Sequence, residues 1–242
     1  MWVLGLDTTG RVGGVALLRD GTLVDAFVGD PATAHAQRLP GDILTLLNRH
    51  GLRASDVDVF AVAAGPGSFT GLRIGIAAIQ GLAYATGRLV VGVSALEALA
   101  HAAGQTAGGA GYPRIGVWMD AQREEVFAAA YQRDVDLAPW RLVDGPLVDV
   151  PRVVARRWRD RAETPILRVV GDGAVRYRDV LDEALGGGVQ VIEPPPMAPS
   201  IALLGWQRAL RGEAGLPHAI RPLYVRRPDA ELARDRAAAA AP

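Results

Sequence analysis

The chain opens on three apolar stretches of strand length, WVLGLDTT, VGGVALLRDG and TLVDAFVG, parted by turn residues, with Asp20-Gly21 as the hairpin signal between the second and third. In AHAQRLPGDILTLLNRHG the period lengthens. Leu39, Ile43, Leu46 and Leu47 share one helical face, Pro40 falls near the first turn, where a missing N–H costs least, and Gly51 marks the stop. A continuous apolar strand follows, DVDVFAVAAG, then a helix, TGLRIGIAAIQGLAYATG, a strand, RLVVGVS, and a helix, SALEALAHAAG, whose Ser94 and Glu97 have capping-box spacing. Strands alternating with helices predict an α/β lobe built on a mixed sheet.

The Gly-rich stretch AGQTAGGAGYP, residues 103–113, breaks this pattern and marks a boundary. Beyond it the opening theme returns: VLGLDTTGRVGGVALL and IGVWMDAQREEVFAAA are each an apolar strand ending in Asp, a turn, and a second apolar strand. The chain therefore reads as two duplicated lobes. Residues 1–104 with about 199–216 form the first, because the helix predicted in SIALLGWQRALRG after PPPMAPS is expected to return to it; residues 105–198 form the second. The low-complexity end, 226–242, is expected to be a flexible tail.

The helix after the Gly-Pro-Gly turn is the least ordinary element. Gly71, Gly75 and Ala78 run along one side, Leu72, Ile76, Ile79 and Ala83 along another, and the polar positions Arg73, Gln80, Tyr84 and Thr86 form no continuous solvated face. A helix apolar nearly all round must be covered on both sides. One side can lie on its own sheet and the other needs a second body, with the small-residue line allowing a partner helix to come close.

Composition narrows the chemistry. The 26 basic and 26 acidic residues cancel, so bulk charge predicts no polyanion partner. Every basic residue is Arg, which removes Schiff-base lysines and the P-loop Lys. The absence of Cys removes disulfides, thiolate catalysis and Cys-type zinc sites. No basic leader segment and no apolar run of membrane-spanning length is seen, so a cytoplasmic location is expected. His35, His50, His101 and His218 form no metal-binding motif, and Ser68 and Ser94 have no base nearby in sequence. LGLDTTG has the form of a first phosphate loop in actin-like ATPases and sugar kinases, yet Gln122 and Arg123 stand where a second such loop would need glycines. GPGSFTG matches neither a P-loop nor G-x-G-x-x-G; its glycines suit a sharp strand-to-helix reversal capped by Ser68 or Thr70, and its N–H groups suit an anion.

LGLDTTG, AHAQRL, AAGPGSFTGLRIGIAAIQGLAYATG, GVSALEALA, MDAQREEVFAAAY and RPLYVR stand in the order seen in the TsaB (YeaZ) family, which the chain resembles from about Trp2 to Arg226. The resemblance implies an actin-like ATPase (ASKHA) fold. It also implies a non-catalytic role in threonylcarbamoyladenosine modification of the tRNA adenosine beside the anticodon, with no cofactor required, although weak nucleotide binding at Asp7, Thr8, Thr9, Gly67 and Ser68 is left open. The implied partners are the paralogous transferase TsaD, bound as a heterodimer, and TsaE as a third component. A homodimer is expected when the chain is alone, with tRNA contact indirect or weak and no membrane contact. The partner surface carried over lies on the first-lobe helices, at His35, Leu39, Ile43, Leu46, Thr70, Leu72, Arg73, Gly75, Ile76, Ile79 and Ala83. TsaD holds its metal through His-x-x-x-His, but here His35 is followed by Leu39, so no metal site is expected. The rival readings are a nucleotide hydrolase or kinase using Asp7, Thr8 and Thr9, and a metallopeptidase.

Overall fold

Strand β1 (Trp2–Asp7) is buried from Val3 onward because helices cover both faces of its sheet. It pairs antiparallel with β2 (Gly14–Arg19) and parallel with β4 (Val59–Gly65). With β3 (Thr22–Val28) and β5 (Leu89–Ser94) the order is β3-β2-β1-β4-β5. The second sheet repeats this order as β8-β7-β6-β9-β10, from β6 (Arg114–Asp120), β7 (Val126–Gln132), β8 (Arg141–Asp149), β9 (Arg168–Val170) and β10 (Gln190–Ile192). Its pairings repeat too, antiparallel for β6–β7 and parallel for β6–β9 and β9–β10. The duplication visible in the sequence is thus a duplication of topology, and the fold is actin-like. The computed structural model describes residues 1–106, 113–134, 139–161 and 165–226. The expected tail, apart from Arg226, and part of the Gly-rich boundary lie outside the described residues.

Five layers result. Helices α1 (His35–Arg49) and α2 (Phe69–Thr86) cover one face of the first sheet, where Leu4, Leu6, Val15 and Leu17 meet Leu39, Ile43, Leu46, Ile76 and Ile79. Helices α3 (Ala95–Gly104) and α7 (Ala198–Leu210) lie between the sheets in a core that includes Val3, Ala16, Val117, Phe127 and Ile201. Helices α4 (Pro151–Arg161), α5 (Asp172–Arg176) and α6 (Arg178–Leu185) cover the far face of the second sheet around Trp118 and Trp158, whose rings are tilted at 5.8 Å. Helix α7 follows β10 but packs on β1, β2 and β4 of the first sheet.

Two local expectations need correction. Helix α1 begins at His35, so Pro40 stands in its second turn, where it removes one intrahelical hydrogen bond. Ser94 caps α3 by accepting from the Glu97 N–H at 3.5 Å, but the Glu97 carboxylate turns to Arg208 at 2.5 Å, so the capping box is only half formed. The Asp20-Gly21 hairpin forms as expected, with both residues at positive φ.

Ile79 is fully buried between α2 and the first sheet. Ile79→Ala should therefore lower monomer stability by about 2–5 kcal/mol, read as a fall in the urea midpoint of the isolated chain; an unchanged midpoint would place Ile79 outside the core.

Candidate functional site

The start of the β1–β2 turn is sealed, while Arg11 and Val12 beyond it are exposed. Asp7 Oδ1 accepts the Thr9 N–H at 2.9 Å and the Thr9 hydroxyl at 2.7 Å, and Asp7, Thr8 and Thr9 are all buried. Burial removes water from the Asp7 carboxylate and raises its pKa, outweighing the Thr9 hydrogen bonds and the nearby His35 and Arg38, which pull it down. The seal is α2 itself. A side chain at Gly71 would overlap the Thr8 carbonyl oxygen, and one at Gly75 would overlap Thr8 Oγ1, so only glycine lets the helix rest on the turn. Ser68 stitches the two loops together: its N–H donates to the Thr9 carbonyl at 2.8 Å while its Oγ accepts from the Gly71 N–H at 3.2 Å as the N-cap of α2.

Helix α1 is tied to the same turn. His35 Nε2–H donates to the Gly10 carbonyl at 2.8 Å, and its Nδ1 accepts from Arg38, whose guanidinium also holds the Val12 carbonyl and, at 2.5 Å, Asp42. His35 thus braces a loop, half-buried at the wall of the interlobe cleft.

This packing corrects most of the expected partner surface. Leu39, Ile43, Leu46, Leu72, Ile76, Ile79 and Ala83 are at most 5% exposed, and Gly75 is buried against Thr8. The sheet claims the large side chains and the turn claims the glycines, so neither line named from the sequence faces outward. Of the predicted set only Thr70 and Arg73 are exposed. They begin a different stripe on α2, continued by Ala77, Gly81 and Tyr84, the last 84% exposed. Helix α1 exposes Ala36, Gln37, Pro40, Gly41, Leu44, Thr45, Asn48 and Arg49. Arg73 and Arg49 are the charged residues among these thirteen.

A cleft of about 1050 Å³ lies between the lobes. Its walls are Thr9 to Arg11 and Gly67 to Leu72 of the first lobe, Asp120 to Arg123 of the second, and the C-terminal stretch Leu223 to Arg226. Of the expected nucleotide contacts, Thr9, Gly67 and Ser68 line the cleft while Asp7 and Thr8 do not; both are buried, Thr8 beneath Gly71 and Gly75 of α2. Asp120, the counterpart of Asp7, is paired with Arg176 at 2.7 Å and accepts the Gln122 N–H at 2.9 Å. Gln122, Arg123 and Glu124 then take φ near +60° in succession, each an unfavourable conformation for a residue with a side chain, at a cost of about 1–2 kcal/mol apiece. Among the described residues no group of three or more His, Asp or Glu could hold a metal ion, and no helix is long and apolar enough to cross a membrane. Sequence reasoning missed Tyr224 and Arg226 as cleft residues; the RPLYVR stretch that contains them was the available signal.

The family model of tRNA N6-adenosine threonylcarbamoyltransferase, TsaD, matches residues 30–139. Two proteins named tRNA threonylcarbamoyladenosine biosynthesis protein TsaB are similar over nearly the whole chain. The one from Escherichia coli K12 is 31% identical, covering 93% of this chain and 95% of its own length; the one from Bacillus subtilis 168 is 29% identical, covering 96% of each. The solved structure of YeaZ from Pseudomonas aeruginosa superposes with a TM-score of 0.76 at 31% identity, covering 92% of this chain and 99% of that one.

The buried Asp7 has a consequence for stability. The folded chain holds a proton on Asp7 above the ordinary value of 3.8, so its contribution falls as pH rises through the window between 3.8 and the raised native pKa, and stays lower above it. Asp7→Asn, whose amide oxygen can still accept both Thr9 bonds, should remove that fall. Urea midpoints of the two chains between pH 4 and 7 should diverge in favour of the variant as pH rises; parallel curves would show that the carboxylate is not desolvated.

Proposed function

The chain belongs to the TsaB family, and from that premise we propose that it is a non-catalytic assembly subunit of threonylcarbamoyladenosine modification, supporting the transferase TsaD on tRNA. The observation that carries this reading is the outer face of α1 and α2. Its exposed residues are apolar or uncharged apart from Arg73 on α2 and Arg49 at the end of α1, and it is small at Gly41, Ala77 and Gly81. The central, fully desolvated part of an interface is where charged residues are depleted, and small residues let two helices approach closely. The match of residues 30–139 to the TsaD model spans both helices, which supports a pseudo-symmetric pairing in which paralogous helix pairs face each other. The same geometry favours a homodimer when TsaD is absent.

In this reading TsaE joins the pair as a third component, tRNA contact through this chain is indirect or weak, the complex works in the cytoplasm, and the chain needs no resident cofactor. The rival enzyme reading has less support, since Asp7 and Thr8 are buried and do not line the cleft. Metallopeptidase chemistry has no ligand set among the described residues.

Ala77→Arg together with Gly81→Arg places two guanidinium groups on the exposed stripe without touching the core. The double variant should keep the circular dichroism of the unmodified chain and bind TsaD at least about ten-fold more weakly by calorimetry, as expected for charge forced into a close-packed interface. Undiminished affinity would reject the α1–α2 face as the partner surface.

A further inference from the structure

The stretch Ile220–Arg226 follows a 3₁₀ turn, Pro217–Ala219, and reaches from one lobe to the other without regular secondary structure. Its hold on the first lobe is specific. Gln80 Nε2 donates to the Pro217 carbonyl at 2.9 Å, and the Leu223 N–H donates to the Ala64 carbonyl of β4 at 2.6 Å. The Tyr224 ring stacks on Phe69 at 5.5 Å between centroids, and the Tyr224 hydroxyl accepts from Arg73 Nε at 3.3 Å. Phe69 is thereby held on α2 between Tyr224 and the Arg73 guanidinium, which lies 4.0 Å from its centroid.

At its far end the stretch grips the second lobe through one side chain. Arg226 Nη1 donates to the Ala121 carbonyl at 2.7 Å and Nη2 to the Glu125 carboxylate, with the guanidinium over the Phe127 ring at 5.7 Å. Ala121 and Glu125 are the two ends of the β6–β7 turn, joined to each other by the Ala121 N–H and Glu125 carbonyl at 3.0 Å. Between them stand Gln122, Arg123 and Glu124, three successive left-handed residues without a glycine among them. Such a turn persists only when its surroundings over-determine it. A planar guanidinium bonded to both ends provides that constraint, with a charge-assisted bond on one side.

We infer that Ile220–Arg226 is an interlobe latch, anchored on the first lobe by Leu223 and Tyr224, which through Arg226 holds the strained β6–β7 turn and sets the width of the cleft. The latch lines the cleft it closes, so any molecule entering there meets Tyr224 and Arg226. The inference is independent of the partner reading, because every contact it uses lies within one chain.

The chain has no native cysteine, so cysteines introduced as Arg11→Cys in the first lobe and Val175→Cys in the second, both at exposed positions, take spin labels at those sites alone. Doubly labelled chain, diluted into unlabelled chain so that only distances within one molecule are read, should give a single narrow distribution. Arg226→Ala should add a population at longer distance and speed hydrogen exchange at the Ala121 and Glu125 amides about ten-fold, the order expected for losing a charge-assisted hydrogen bond. Tyr224→Ala, which leaves the second lobe untouched, should broaden the distances in the same way and decides the matter if the Arg226 variant folds poorly. Distance distributions in both variants that superimpose on that of the unmodified chain overturn the latch, whatever the exchange shows. Because no second protein is present, that result stands apart from TsaD binding.

Discussion

The contact on which the rest depends is the one between two glycines of α2 and Thr8. With no side chain at Gly71 or Gly75, an 18-residue helix can lie directly on the β1–β2 turn. That close approach fixes the rotation of the helix about its own axis. Once Gly71 and Gly75 face Thr8, Leu72, Ile76, Ile79 and Ala83 must point into the sheet, and Thr70, Arg73, Ala77, Gly81 and Tyr84 must point away from it. The same contact buries Thr8. One steric condition therefore covers the start of the turn and decides which face of the helix is presented.

The duplicated topology was legible because strand length, turn residues and the Asp-ended first strand repeat at the level of local pattern, which is what sequence carries best. The apolar character of α2 on more than one side was legible for the same reason, but its glycine side rests on the β1–β2 turn of its own lobe rather than on the second body expected. Which residues face which body was not. An all-round apolar helix has a weak directional signal, and the choice between its faces is made by Thr8, a residue 63 positions before Gly71, through a contact that periodicity does not record. His35 was misplaced likewise: its partner is the Gly10 carbonyl, a backbone atom brought to it only when α1 docks. The left-handed run Gln122–Glu124 was hidden for a different reason, since local propensity argues against it and the bonds that hold it, from Asp120 and from the distant Arg226, form only in the fold.

The two lobes share a strand order but not their helices. After β4 comes the long α2; after β9, its counterpart, come the five-residue α5 and the eight-residue α6, interrupted at Tyr177, where φ −114° and ψ 34° leave the helical region. Those short helices close the second core around Trp118, Trp158 and Leu181. The helix after β4 keeps a long exposed stripe while its counterpart after β9 is broken in two, so at this position the duplicated fold has one extended helix rather than two.

The helices between the two sheets are joined to the first lobe by polar contacts as well as apolar packing. Beside the apolar core of α3 and α7, and within the first lobe, Arg208 bonds Glu97 and the Gly92 carbonyl, and His101 Nδ1 lies 3.0 Å from the Ser200 hydroxyl. Burial and the nearby Arg133 lower the His101 pKa, keeping the ring neutral, and burial raises that of Tyr131, keeping the phenol protonated. Neither group changes charge near neutrality. Buried polar groups that are satisfied in only one alignment specify that alignment more sharply than apolar contacts do. With an apolar core shared by the two sheets and Arg226 on the cleft wall, the lobes are joined at two places. A chain whose exposed helices must match another protein's surface needs that fixed geometry more than it needs a cleft that opens and closes.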